Sequence, residues 1–130
     1  MKFSDPKIVA LLFNEHINNQ NLLALSNLMS EKHRFIDRKG NIVDGKKNMI
    51  ESWAKFFIMF PEYKNSFNRI ESRGNLVVLY GYAKWKKDDD PDYAIWTATI
   101  ENDHVAEWRI YENSEANQKF FNLGRIPEVK

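Results

Sequence analysis

The chain has 130 residues, 43% of them hydrophobic and 14% aromatic, enough for one globular core that buries roughly two-thirds of the unfolded surface. Lys and Arg total 19 against 18 Asp and Glu, so the net charge of +1 supplies no field for gathering nucleic acid or anionic lipid. Without cysteine there are no disulfides, thiol nucleophiles or thiolate metal sites, and no run approaches the ~20 apolar residues of a bilayer span.

The opening stretch MKFSDPKIVALLFNEH has only a short apolar run after Asp5 and Pro6 and no small-residue cleavage pattern, so it reads as part of a soluble, cytoplasmic protein. Asp5 and Pro6 form an N-cap and first-turn pair that predicts a helix over 6–18. On it Ile8, Val9, Leu12, Phe13 and His16 recur at helical spacing, which places a histidine on the buried stripe. The polar run NNQN stops this helix, and Leu22, Leu25, Leu28 and Met29 mark a second, shorter one. HRFIDR alternates like a strand, with His33, Phe35 and Asp37 on one face and Arg34, Ile36 and Arg38 on the other, before KGN turns it.

Asp44 with Gly45 predicts the cap of a third helix, whose apolar face is Met49, Trp53, Phe56, Phe57 and Phe60 and whose polar stripe is Lys47, Glu51 and Lys55. Pro61 ends it. Its last turn, FFIMF, is apolar nearly all round and predicts cover on more than one side. Strand-like runs follow at 63–72, 76–87, 93–101 and 105–112, separated by RGN, DDDP and ND, with Gly74 and Asn75 suited to the positive φ of a tight hairpin. The order predicts an α+β fold: a curved, mostly antiparallel sheet wrapped around three N-terminal helices, leaving a pocket between them. No repeat, low-complexity tract or linker argues for more than one domain over 1–130.

Three side chains are candidates for acid/base chemistry. Glu112 ends the strand EWRIYEN four residues after Trp108, nominally on the same face. Lodged among Trp108, Trp96 and Trp53 it would be desolvated, and its raised pKa would let it trade protons; alternatively it caps the SEANQ turn or pairs with a lysine. Asp37 is either a base or the acceptor that ties the RKGN turn after it. His16 either shares a proton with Asp37 or Glu112 or bonds a backbone carbonyl. Aromatic walls come from Phe13, Phe35, Trp53, Phe57, Trp96 and Trp108, which suit a small apolar or aromatic molecule. Alternation leaves open whether Tyr80 and Tyr82 or Trp85 joins them.

KWKKDDDPD is most simply a solvated hairpin tip. Its basic trio is cancelled by the acids that follow, and as a calcium loop it lacks the sixth-position glycine and has Thr99 where the twelfth-position glutamate belongs. His16, His33 and His104 lack metal-ligand spacing, so neither a metal nor a cofactor is expected.

The element order, together with the segments FIDRKGNIVDG, SWAKFFIMFPEY and HVAEWRIYENSEANQKFFNLGRIP, resembles the nuclear transport factor 2-like superfamily and, within it, the SnoaL-like proteins, over residues 5 to 126. The resemblance implies a cone-shaped α+β barrel open at one end to a small, often apolar molecule, and a homodimer through the sheet. It also implies that Glu112 stands where polyketide cyclases carry the general acid/base Asp of their closing strand, one methylene longer. A ketosteroid isomerase pattern puts its base on Asp37, yet its oxyanion tyrosine falls on Phe13 and its protonated aspartate near Trp96, so two of three parts are missing. Two functions follow as expectations: a cofactor-independent acid/base enzyme of cyclase or isomerase type, or a non-catalytic ligand-binding or protein-interaction module.

Overall fold

The Asp5 carboxylate accepts the backbone N–H of Lys7 at 2.9 Å, and Pro6, with no N–H to leave unpaired, opens helix α1 (Pro6–Asn18). The computed structural model describes residues 5 to 123, so Gly124 and Pro127 of the closing motif lie outside the described residues. Helix α1 buries Val9, Ala10, Phe13, Asn14 and Ile17, whereas Ile8 and Leu12 are exposed. This stripe is rotated from the predicted one and leaves His16 at its margin, half-buried. An amide clasp explains the rotation. Asn18 accepts from the backbone N–H of Asn65 at 2.8 Å and donates to its carbonyl at 2.9 Å, while the Asn65 amide donates to Asn14 Oδ1 at 3.1 Å. Those bonds turn asparagines inward at positions where spacing alone favours leucine.

Helix α2 (Leu22–Asn27) is capped by the Asn21 side chain. Leu28 and Met29, predicted to extend it, lead instead into strand β1 (Met29–Ile36), so the strand starts at Met29 rather than His33. A turn through Gly40, at φ 84°, returns the chain as β2 (Ile42–Asp44), a short strand absent from the sequence expectation. Gly45, at φ 95°, is the N-cap of α3 (Lys46–Met59) without a side-chain cap. The predicted Asp44 cap is therefore corrected: Asp44 contributes its backbone carbonyl to Asn48 Nδ2 at 2.9 Å. The apolar last turn of α3 is covered on one side only, for Ile58 is 82% and Met59 67% exposed.

Strands β3 (Lys64–Arg73), β4 (Leu76–Lys84), β5 (Asp92–Glu101) and β6 (His104–Glu112) form the expected antiparallel meander. Gly74 alone takes positive φ in the β3–β4 turn, while Asn102 and Asp103 both take it between β5 and β6, the geometry that matches strand twist in a two-residue hairpin. Strand β6 also pairs with β1 in parallel, giving one mixed sheet in the order β2-β1-β6-β5-β4-β3. The inner face carries Val77, Leu79, Ala83, Ala94, Trp96 and Trp108 against α1 and α3. Phe67 and Phe13 close one end, with ring centroids 4.9 Å from Trp96 and Trp108 respectively. The outer face carries Val78, Tyr80 and Ile95, covered by Phe121 and Leu123 beyond α4 (Glu115–Phe120). Arg69 and Arg73 donate to the carbonyls of Leu123 and Phe121. Among the described residues no helix is long and apolar enough to cross a membrane.

Candidate functional site

At the end of the sheet opposite Phe13 and Trp96, α3, the β1–β2 turn and the ends of β4 and β6 surround a cavity of about 480 Å³. Its walls are Phe35, Trp53, Phe56, Tyr63, Trp85 and Trp108. These rings hold one another edge to face, with Trp53 5.5 Å from Phe56, Phe56 5.7 Å from Trp85 and Tyr63 4.9 Å from Trp85, an arrangement that favours fixed positions over a collapsed core. The choice that strand alternation left open falls to Trp85. Tyr80 and Tyr82 lie on the outer face with Tyr93.

Three of the expected wall residues line the cavity: Phe35, Trp53 and Trp108. Phe13, Phe57 and Trp96 stand behind it. Phe13 packs on Trp108 at 4.9 Å, Phe57 stacks on Trp53 at 5.4 Å, and Trp96 meets Phe67 in the closed end. Their burial is comparable to that of Trp53 and Trp108; what sets the three apart is that none of them lies on the cavity lining.

Among the described residues no hydrogen bond joins the three acid/base candidates to one another. Asp37 lines the cavity, but its carboxylate is committed to the turn: Oδ1 accepts the N–H of Lys39 at 2.9 Å and of Asn41 at 3.0 Å, and Oδ2 accepts Asn41 Nδ2 at 3.1 Å. Burial is the largest single influence and pushes its pKa up, yet these hydrogen bonds together with the Lys39 charge outweigh it and hold the carboxyl below its ordinary value. Glu112 lies one alternation beyond Trp108 and Ile110 on the inner face, at the mouth rather than among the tryptophans, with its side chain 63% exposed. Its Oε1 is 4.0 Å from Arg38 Nη1. His16, on α1, hydrogen-bonds neither carboxylate among the described residues, and its backbone carbonyl receives the N–H of Asn21.

What alternation misassigned is Arg38. Strand β1 ends at Ile36, so the turn brings Arg38, expected on the face opposite Phe35 and Asp37, onto the cavity lining beside both. There its Nη2 donates to Asp92 Oδ2 at 2.8 Å, and the same oxygen accepts the indole N–H of Trp85 at 3.2 Å. The lining therefore includes Arg38, Phe56, Tyr63 and Trp85, with Asp92 bonded behind Arg38 and Trp85; of these the sequence reading had put only Trp85 there, as an open alternative. The signal for Asp92 was concealed in the acidic run DDDPD, where every aspartate reads as solvated. Tyr63 is 5% exposed, and burial, foremost, pushes its phenol far above the ordinary range against smaller opposing effects of Arg38 and Asn65. It stays protonated and can act as a donor. Among the described residues no three His, Asp or Glu side chains stand together to hold a metal.

The sheet and its helices have the nuclear transport factor 2-like fold. An NTF2-like protein of unknown function from Cytophaga hutchinsonii superposes with a TM-score of 0.71 at 15% identity, over 93% of this chain and 97% of that one. A candidate SnoaL-like polyketide cyclase from Shewanella denitrificans gives 0.73 at 13% identity, over 92% and 98%. An uncharacterised cystatin-fold protein from Novosphingobium aromaticivorans gives 0.75 at 15% identity, over 84% and 99%. No family model matches the sequence, and no curated protein matches it. At these identities the likeness is one of fold.

Proposed function

We propose that the protein binds a small apolar or aromatic molecule in the cavity between α3 and the sheet. One observation carries this reading: six aromatic side chains help to line an open cavity of about 480 Å³ within a 130-residue chain, when a core of this size gains more stability by closing such a space. Native mass spectrometry of the freshly purified protein is expected to detect a noncovalent small molecule or, after its removal, uptake of one equivalent of the neutral probe N-phenyl-1-naphthylamine. Ile110→Trp, which fills the cavity from β6, should weaken that uptake at least about tenfold, the loss of one favourable contact set. Uptake that is absent, or indifferent to Ile110→Trp, would sink the reading.

The second reading is a cofactor-independent acid/base enzyme of cyclase or isomerase type, with Glu112 exchanging protons and Asp37 and His16 assisting. It is favoured by the approach of Glu112 to Arg38, a cavity-lining cation that can steady the carboxylate beside a ligand. Glu112→Gln would then abolish turnover of an identified substrate while leaving its binding intact; unchanged turnover removes Glu112 from the mechanism. We further propose a cytoplasmic homodimer through the outer sheet face, where Tyr82, Tyr93 and Arg109 remain half-exposed. Light scattering on the eluting protein tests this, a monomer mass at micromolar concentration counting against it.

A further inference from the structure

A second recess, of about 400 Å³, shares no residue with the aromatic cavity. Its floor follows from strand register: Lys64 pairs with Lys84 and Ser66 with Tyr82 across β3 and β4, so four polar side chains stand together on the outer face of the sheet. Glu62 and Lys87 form the rim, tied to each other by the Lys87 backbone N–H, which donates to Glu62 Oε1 at 2.9 Å. Like charges directly opposite one another destabilise a strand pair, and Lys64 with Lys84 is such a pair. Surface lysines usually stand in water without a ligand. These differ because three of them converge on one recess with two hydroxyls, Ser66 and Tyr82, that bond no protein acceptor among the described residues.

The acidic run that cancels this charge along the sequence does not cancel it in space. Asp88, Asp89 and Asp90 are off the lining, and among the described residues none of Lys64, Lys84 and Lys87 has a carboxylate within ion-pair distance. The Lys64 ammonium donates to the neutral carbonyl of Asn18 at 3.2 Å, which leaves its charge in place. Three ammonium groups against the Glu62 carboxylate leave a surplus of two positive charges on the lining. A monoanion would balance half of that surplus, and a dianion balances it. Tyr82, with Tyr93 edge to face at 5.4 Å, adds a half-buried aromatic ring beside the donors. A phosphomonoester of a ring compound answers each feature: it carries nearly two negative charges at neutral pH, its oxygens accept from lysines and hydroxyls, and its ring can lie against Tyr82. At about 400 Å³ the recess has room for the ring as well as the phosphoryl group.

We propose that this recess is a second binding site, for a small aromatic phosphomonoester whose phosphoryl group is held by Lys64, Lys84 and Lys87. The test is calorimetric titration of phenyl phosphate and, as a monoanion of similar shape, benzenesulfonate into the full chain at pH 8 and matched ionic strength. Phenyl phosphate should bind about tenfold more tightly than benzenesulfonate, and inorganic phosphate should compete with it. Lys64→Gln and Lys84→Gln should each weaken phenyl phosphate about tenfold, the loss of one charge-assisted contact. Lys86→Gln, which removes the same charge from a residue off the lining, should leave its affinity unchanged. Without ligand, Lys84→Gln should melt no lower than the wild type, because it relieves the repulsion from Lys64, so its lost binding is not lost fold. Absence of binding, equal affinity for the two anions, or equal losses in Lys84→Gln and Lys86→Gln overturns the proposal. So does displacement of N-phenyl-1-naphthylamine by phenyl phosphate, which would put the anion in the aromatic cavity. A dimer that phosphate dissociates, and that the joint change of Asp88, Asp89 and Asp90 to Asn also dissociates, would give the recess to the acidic tip of a second copy and overturn the small-molecule assignment.

Discussion

His33 is fully buried beneath α1, donating from Nδ1 to the Val105 carbonyl at 2.7 Å, with its ring 5.7 Å from that of Phe13. That bond fixes the tautomer, and Nε2 is left without a partner. Burial dominates and lowers its pKa below the ordinary 6.5, against a smaller opposing effect of the Val105 bond. The unfolded chain therefore takes up the proton first. Stability that is complete above about pH 6.5 should fall as the pH drops below it, by at most about 1.4 kcal/mol per pH unit for one proton. Urea unfolding at pH 7.5 and pH 5 checks this, and His33→Phe should flatten the difference; an equal slope in the variant would assign the pH dependence elsewhere. Asp37 acts in the same sense at lower pH, since its carboxyl is also held below its ordinary value and its contribution is lost as the pH falls through the carboxylate range. Its three hydrogen bonds to Lys39 and Asn41 make it a turn residue in the free protein, so Asp37→Ala should cost about 1 kcal/mol of stability, the net worth of such bonds at a partly exposed site. Carboxyl resonances followed by NMR should show Asp37 titrating below free aspartate, and a raised value would revive it as a base.

Among the elements, β3 and β4 show how one small residue bends the sheet. The β3–β4 register shifts between Phe67 and Arg69, and Gly81 sits opposite Phe67. A Cβ on Gly81 would lie 1.9 Å from the Ser66 carbonyl oxygen and 2.7 Å from the Phe67 Cα, both backbone atoms that cannot swing aside. The absence of a side chain lets β3 cross closely here, and the bulge turns Phe67 inward against Trp96. Gly81→Ala should therefore destabilise by about 3 kcal/mol, the upper range for overpacking, because the strand pair must separate. A denaturation midpoint unchanged from wild type would mean that the bend has another cause.

For the molecule as a whole, the two faces of the sheet differ: the inner one carries the main core and the cavity, the outer one a smaller cluster. Phe121 and Leu123 cover the outer face, where Phe121 is 4.8 Å from Tyr111 and 4% exposed. The proposed ligand cavity opens on the inner face. Phe121→Ala should cost about 3 kcal/mol as a buried aromatic truncation while leaving N-phenyl-1-naphthylamine affinity unchanged below the melting transition. Coupled losses of stability and affinity would show that the two faces are linked through β5 and β6.

The meander, three N-terminal helices, the hairpin turns and the aromatic richness were legible in the sequence, since each depends on local spacing, turn chemistry or residue type. So were Phe35, Trp53 and Trp108 as wall candidates, because a strand or helix repeat fixes the face that they share. Which aromatics border space and which fill it was not legible: Phe13 and Trp96 have the same chemistry as Trp53 and differ only in what opposes them across the layers. The ends of elements hid the rest. Arg38 reaches the mouth because β1 stops at Ile36, and Asp92 meets it across β6 from an acidic run that reads as solvated. Sequence by itself determined the three helices and the meander with their order through local periodicity, but not the short strand β2. Only the tertiary structure decided that Arg38, Asp92 and Trp85, remote along the chain, share one oxygen at the cavity mouth, because that contact depends on strand order and on where the turn releases the chain.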